Sequence, residues 1–181
     1  MNIFVRQANM SDIDAVAKLE KRCFSEPWSE QGFRDVLCRE DVIFLTAHVS
    51  GEKLFCSDKA DQDMQDGHEC TDIFNVMELG SELSSQEFAG YICMYTALDE
   101  GEITNVAVDE KDRGRGVGQA LLEEAFKCAE RKGLEKIFLE VRESNVPAIE
   151  LYKKTGFEKT GIRRGFYRNP TEDALLMMKE L

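Results

Sequence analysis

The sequence predicts a mixed α/β (α+β) domain occupying residues 1–181 as a single unit. Three observations carry that prediction. Strand-like stretches stand before and after each stretch of helical periodicity. The length is close to that of one ordinary domain and suffices to bury about 70 % of the unfolded surface. Apolar residues make up 43 % and charged residues 32 %, which is the balance of a globular chain.

The elements follow in order. Ile3 and Val5 alternate with polar neighbours, as in a strand. Ser11 suits a helix N-cap, with Asp12 and Asp14 in the first turn. Ile13, Val16, Ala17, Leu19 and Cys23 or Phe24 then recur at helical spacing. Ser29 can cap a second, short helix with Phe33, Val36 and Leu37 on its apolar face. VIFLTAHV at 42–49 is rich in β-formers.

Residues 51–88 differ in kind. Ten acids against two lysines give this stretch −8 of the chain's net −12. It is expected to be a solvated, flexible insertion, with a short amphipathic piece around Ile73, Phe74, Val76, Met77 and Leu79. Strands resume at FAGYICMYTAL, with Tyr91, Cys93 and Tyr95 on one face and Ile92 and Met94 on the other. EITNVAV at 102–108 is a further strand. The Gly-rich DRGRGVGQ leads straight into a helix whose apolar positions are Val117, Leu121, Leu122, Ala125, Phe126 and Ala129, with Gly133 just past its end. KIFLEV is a strand, Asn145 a cap, and Ile149, Leu151 and Tyr152 belong to a last helix closed by Gly156. Two strands, FEKTGIRRGFY and ALLMMKEL, meet at a turn at Asn169-Pro170.

Composition narrows the function. The acidic balance argues against non-specific nucleic-acid binding and against an anionic membrane surface. No apolar run approaches the ~18 residues of a membrane helix, and the start has no signal-peptide pattern. A cytoplasmic protein is expected, as a monomer or weak dimer. The six cysteines form no CxxC and are expected to be free thiols, with Cys93 and Cys128 on apolar faces. No metal site is expected. Cys56, His68 and Cys70 match no zinc spacing. The calcium-like run from Asp61 fails because Gly67 falls one place late and Asp72 stands where glutamate is needed.

The loop from Arg113 to Gln119 lies between a strand and a helix. Glycines there allow a phosphate to approach the backbone closely, and a helix N-terminus favours an anion. A pyrophosphate ligand is the physical expectation. The Walker Lys-Ser/Thr is absent, and the dinucleotide spacing is wrong. The pattern Arg113-x-x-Gly116-x-Gly118 after NVAV resembles the acetyl-CoA loop of the GNAT acetyltransferases. PWSEQGF at 27–33, EITNVAV, FLEVRESNVPAIELYKKTGF at 138–157 and RRGFY followed by EDALLM occur in that family's order. Together they resemble the RimI-type N-terminal acetyltransferases, which modify the terminal alanine of a small-subunit ribosomal protein.

The resemblance implies a mostly antiparallel sheet, flanked by about four helices, that splays to admit acetyl-CoA. It implies that the backbone of Val106, Ala107 and Val108 holds the pantetheine arm. The amides of Gly114, Arg115, Gly116, Val117, Gly118 and Gln119 would hold the pyrophosphate, with Asn145 near the thioester. The implied partner is a protein N-terminus.

Acetyl transfer to an amine needs a base for the ammonium, donors for the oxyanion and a proton for the thiolate. Glu140 is the candidate base, on the expectation that apolar neighbours bury it. By spacing alone it shares parity with Phe138 and Arg142, so a solvated face fits equally well. The motif LEVRxSN assigns it the base's place by resemblance. Tyr152 is the candidate acid by its family position, whereas periodicity alone reads it as core. Trp28 is a packing anchor or a wall of the peptide groove. Tyr167 is a groove candidate, although Gly165-Phe166-Tyr167 lacks one of the two tyrosines usual at this place in the family. Competing readings are a GNAT enzyme for a small amine or a lysine side chain, and a silent acetyl-CoA-binding module. The acidic insertion is either a tolerated surface loop or a device that steers basic peptide tails.

Overall fold

The computed structural model describes residues 1–50 and 86–181. The expectations for the acidic insertion, for its amphipathic piece and for metals near Asp61 and His68 therefore lie outside the described residues.

Seven strands form one sheet: β1 (Asn2–Gln7), β2 (Val42–Ser50), β3 (Glu87–Ala97), β4 (Glu100–Val108), β5 (Lys136–Arg142), β6 (Glu158–Arg168) and β7 (Thr171–Glu180). Their order is β1-β2-β3-β4-β5-β7-β6. The pair β4–β5 is parallel and the others are antiparallel. The helices are α1 (Ile13–Cys23), α2 (Glu30–Leu37), α3 (Val117–Arg131) and α4 (Val146–Lys154). These elements match the mostly antiparallel architecture expected, with four helices among the described residues.

Two apolar layers sandwich the sheet. Leu121, Leu122, Ala125 and Ala129 of α3 and Ile149 and Tyr152 of α4 pack with Ile137, Leu139 and Val141 of β5 on one face. Ile13, Val16, Ala17 and Leu19 of α1 and Phe33 and Val36 of α2 pack with Phe44, Tyr91, Cys93 and Ala107 on the other. Every apolar position read for α3 is buried. Cys93 is fully enclosed, and burial pushes its thiol up to about 12, so it is a core residue and no nucleophile at neutral pH.

The caps are mostly those the sequence predicts. Ser29 Oγ accepts from Gly32 N at 3.0 Å, and Asn145 Oδ1 from Ala148 N at 3.3 Å. One cap differs. Asn9, not Ser11, starts the first helical region: its side chain accepts from Ser11 N while Asp12 accepts from Asn9 N at 2.8 Å. That reciprocal box opens a short 3-10 turn over Met10–Asp12, and α1 begins only after it.

Two irregularities position the site. β4 and β5 pair from Glu100↔Lys136 to Ile103↔Leu139, and no pair joins them beyond that among the described residues. In β3, the register shifts so that Cys93 faces Asn105 while Met94 faces Ile103, which leaves Thr104 as an extra residue of β4. The bulge reverses the strand's parity. Ile103 packs on the α3 side, whereas Ala107 packs on the α1 side.

Candidate active site

The cleft between β4 and β5 has one wall of unspent backbone. Asp109 N donates to Ala89 O at 2.8 Å, so the polar groups of residues 107 and 109 turn toward β3. By alternation, those of Val106 and Val108 turn toward the cleft. Arg113 Nε donates to Val108 O at 3.1 Å from that side, as this requires. Of the three residues read as a strand-like partner, Val106 therefore turns a free edge to the cleft, Val108 turns a free amide to it while its carbonyl is held by Arg113, and Ala107 is committed to Tyr91 of β3.

The Gly-rich loop continues the same wall. Among the described residues, the backbone amides of 114–119 have no hydrogen-bond acceptor; the first bond of α3 is Ala120 N to Gly116 O at 3.0 Å. Gly116 occupies the N-cap with φ 91° and offers no capping side chain, and Gly114 has φ 71°. A run of unpaired amides ending at a helix N-terminus is a cradle for a diphosphate. The side chains nearby are spent elsewhere. Arg115 is bonded to Asp112 at 2.8 Å, Gln119 to Glu123 and Lys154, and Val117 is buried in the core.

Glu140 and Tyr152 come from opposite faces of the sheet. Tyr152 is buried on the α3–α4 side, its ring 5.7 Å from that of Phe157. Burial, and then the nearby Tyr167, push its phenol above the ordinary range, so it stays protonated. Glu140 alternates with Leu139 and Val141 and so projects toward the α1 side. Its expected apolar burial is corrected here. The side chain is 22 % exposed and its Oε1 accepts from Arg163 Nη1 at 2.8 Å. The reason is coverage: α1 and α2 lie over β2, β3 and β4, and this face of β5 is left half-open.

Tyr167, on β6, is half-buried beside Glu140 and Arg142. Burial raises its phenol first, the charges of Glu140 and Glu172 add to this, and Arg142 opposes them. Trp28 packs on Phe33 and Tyr95, with ring centroids at 5.5 and 6.3 Å, which fits the packing-anchor reading. Asn145, besides capping α4, is exposed at the end of β5. Thus Glu140, Tyr167 and Arg163 gather on one open face, Tyr152 is buried behind it on the opposite side of the sheet, within the electrostatic reach of Tyr167, and Trp28 lies with the α1–α2 layer.

Sequence reasoning missed Glu20. It is fully buried on α1 and receives hydrogen bonds from the Tyr91 hydroxyl, from Asn105 Nδ2 at 3.1 Å and from Trp28 N at 3.1 Å. Burial raises its carboxyl, with the Tyr91 and Trp28 bonds opposing. A signal existed, since Glu20 falls seven residues after Ile13 on the apolar stripe of α1. Among the described residues, no group of three His, Cys, Asp or Glu side chains stands ready for a metal.

Comparison with known proteins bears on the fold and the family. The chain is 30 % identical to the ribosomal protein bS18-alanine N-acetyltransferase of Escherichia coli K12, over 92 % of this chain and 90 % of that one. It is 31 % identical to an N-alpha-acetyltransferase of Sulfurisphaera tokodaii, over 98 % and 92 %. The crystal structure of the ribosomal-protein-S18-alanine N-acetyltransferase from Escherichia coli superposes with a TM-score of 0.71 at 26 % identity, covering 99 % of this chain and 94 % of that one. The Arabidopsis thaliana NAA60 structure in complex with acetyl-CoA shares the fold, with a TM-score of 0.74 at 20 % identity over 99 % and 100 % of the two chains. The model of the acetyltransferase (GNAT) family matches residues 13–157, and the chain belongs to that family.

Proposed function

We propose that this enzyme transfers the acetyl group of acetyl-CoA to the α-amine of a protein N-terminus, with an alanine-starting ribosomal protein as substrate. The observation that carries the reading is the wall of unspent backbone: the amides of 114–119, then the Val108 amide and the cleft-facing edge of Val106. A diphosphate fits the first part and an extended, amide-bearing arm the second. That arm would end between Glu140 and Tyr152. The names of the bacterial and archaeal relatives support a protein N-terminus as acceptor over a small amine.

Acetyl-CoA supplies an activated thioester, and both substrates are present together. Glu140 takes a proton from the α-ammonium, whose ordinary pKa is about 7.7–8.0. The free amine then attacks the carbonyl carbon. The Val106 amide, turned to the cleft just past the bulge, donates to the oxygen that gains charge. As the carbon–sulfur bond breaks, Tyr152 gives its proton to the departing thiolate, the second proton that the attacking nitrogen must lose to become an amide makes good that loss, and the proton held by Glu140 leaves to solvent. No covalent enzyme intermediate is required. Asn145 would steady the arm near the thioester. Among the described residues, no helix is long and apolar enough to cross a membrane.

The test is thiol release from acetyl-CoA with an alanine-starting hexapeptide beside its N-terminally blocked form. Turnover with the free peptide only is the expected result. Binding of acetyl-CoA without turnover on either peptide sinks the reading and directs attention to small amines.

A further inference from the structure

Arg142 has no part in these proton transfers, yet it is heavily engaged. It leaves β5 two residues after Glu140, on the same face. Its Nη2 donates to Ser25 Oγ at 3.1 Å and to Asn169 O at 3.0 Å. Its Nη1 donates to Pro170 O at 3.1 Å and to Glu172 Oε2 at 3.2 Å. The guanidinium carbon lies over the Tyr167 ring, 4.1 Å from its centroid. Glu172 is fixed in turn by Ser144 N, which donates to its other oxygen at 2.5 Å.

Ser25 belongs to the loop between α1 and α2, and Asn169 and Pro170 to the turn between β6 and β7. These segments flank the half-open face beyond Glu140. Among the described residues, Arg142 is the only side chain hydrogen-bonded to both. A planar fork with five N–H donors can serve acceptors on two sides at once, whereas a lysine ammonium cannot hold the same set.

We infer that Arg142 is the positioning residue of the acceptor groove. It ties the α1–α2 loop to the β6–β7 turn and so fixes the surface on which an extended chain lies behind the reacting amine. The inference rests on Glu140 facing the acceptor. Its particular consequence is length dependence. A peptide lies along this joined surface, while an acceptor with no chain behind its amine reaches Glu140 without touching it.

The experiment compares a hexapeptide with alaninamide as acceptors for the wild type, R142Q, R142K and S25A. R142Q is expected to raise the hexapeptide KM, and to lower the ratio of hexapeptide to alaninamide kcat/KM by about tenfold or more. The KM for acetyl-CoA should stay within about twofold. R142K recovers only part of the loss. S25A removes one exposed arm and shifts the ratio in the same direction by less. An unchanged ratio in R142Q, or an equal loss on both acceptors, overturns the inference. If R142Q does not fold, an unchanged hexapeptide KM in S25A overturns it instead. A wild type inactive on both acceptors overturns the acceptor reading itself, an outcome distinct from a flat ratio in an active enzyme.

Discussion

Glu140 and Tyr152 are twelve residues apart and on opposite faces of the sheet, and the proposed mechanism brings them to one reaction centre through the gap that opens where β4 and β5 part after Ile103 and Leu139. The two side chains meet different surroundings. Tyr152 is enclosed by apolar neighbours, whereas Glu140 has a cation at hand. Tyr152→Phe removes the proton donor but keeps the packed ring. It should lower kcat by about 10²- to 10⁴-fold while leaving acetyl-CoA affinity unchanged, which turnover and direct binding measurements check together. Since burial raises the phenol, its acid form persists to higher pH than that of an ordinary tyrosine. The wild type should therefore show no alkaline loss of kcat below about pH 10 from this group. A kcat–pH profile falling near pH 8 or 9 through Tyr152 would contradict the assignment. The LEVRxSN and LYxxxGF motifs single out this pair in the sequence, and the roles proposed for it rest on them. The partner of Glu140 was not legible, because Arg163 arrives from β6, 23 residues away in sequence, and a strand's alternation gives no hint of its cross-sheet neighbour.

The elements themselves were nearly all legible. Each announces itself locally: a continuous apolar run in β3, period two in β5, an apolar stripe in α3, and serine or asparagine at the starts of α2 and α4. The sheet order was not, because β7 inserts between β5 and β6 through pairings that no local pattern encodes. Nor was the bulge at Thr104, which reverses the faces of β4 and turns Val106 to the cleft. Gly90 exposes the tolerance of this region. A Cβ there would stand 2.6 Å from Ala107 O and 3.3 Å from Val108 Cα, so the backbone of β4 would have to move. Gly90→Ala should cost about 1–3 kcal/mol of stability, read by denaturant unfolding. It should also weaken acetyl-CoA binding, because the displaced segment carries the cleft-facing edge. Unaltered affinity would separate that edge from cofactor binding.

At the scale of the whole molecule, charge is unevenly placed: residues outside 51–88 carry only −4 of the net −12. Val49 pairs with Glu87, so Ser50, Gly51 and Gln86 can close a short hairpin when 52–85 are deleted. If the acidic stretch steers basic peptides, the deletion should lower kcat/KM for a basic hexapeptide by up to about tenfold at low salt and flatten its salt dependence. Equal efficiencies and equal salt slopes would leave it a tolerated insertion. The sheet carries a different consequence. On the proposed function its unspent groups, the edge of Val106, the Val108 amide and the amides of 114–119, meet the diphosphate and the arm, parts of the carrier that acetyl transfer leaves untouched. Such a grip is uniform between the charged carrier and the spent one. On this reading free coenzyme A is a built-in competitor, and the enzyme answers to the ratio of acetylated to free carrier rather than to the amount of either. On the same reading, the opening in which the substrate completes the sheet makes the enzyme's rate follow the cell's supply of acetyl groups.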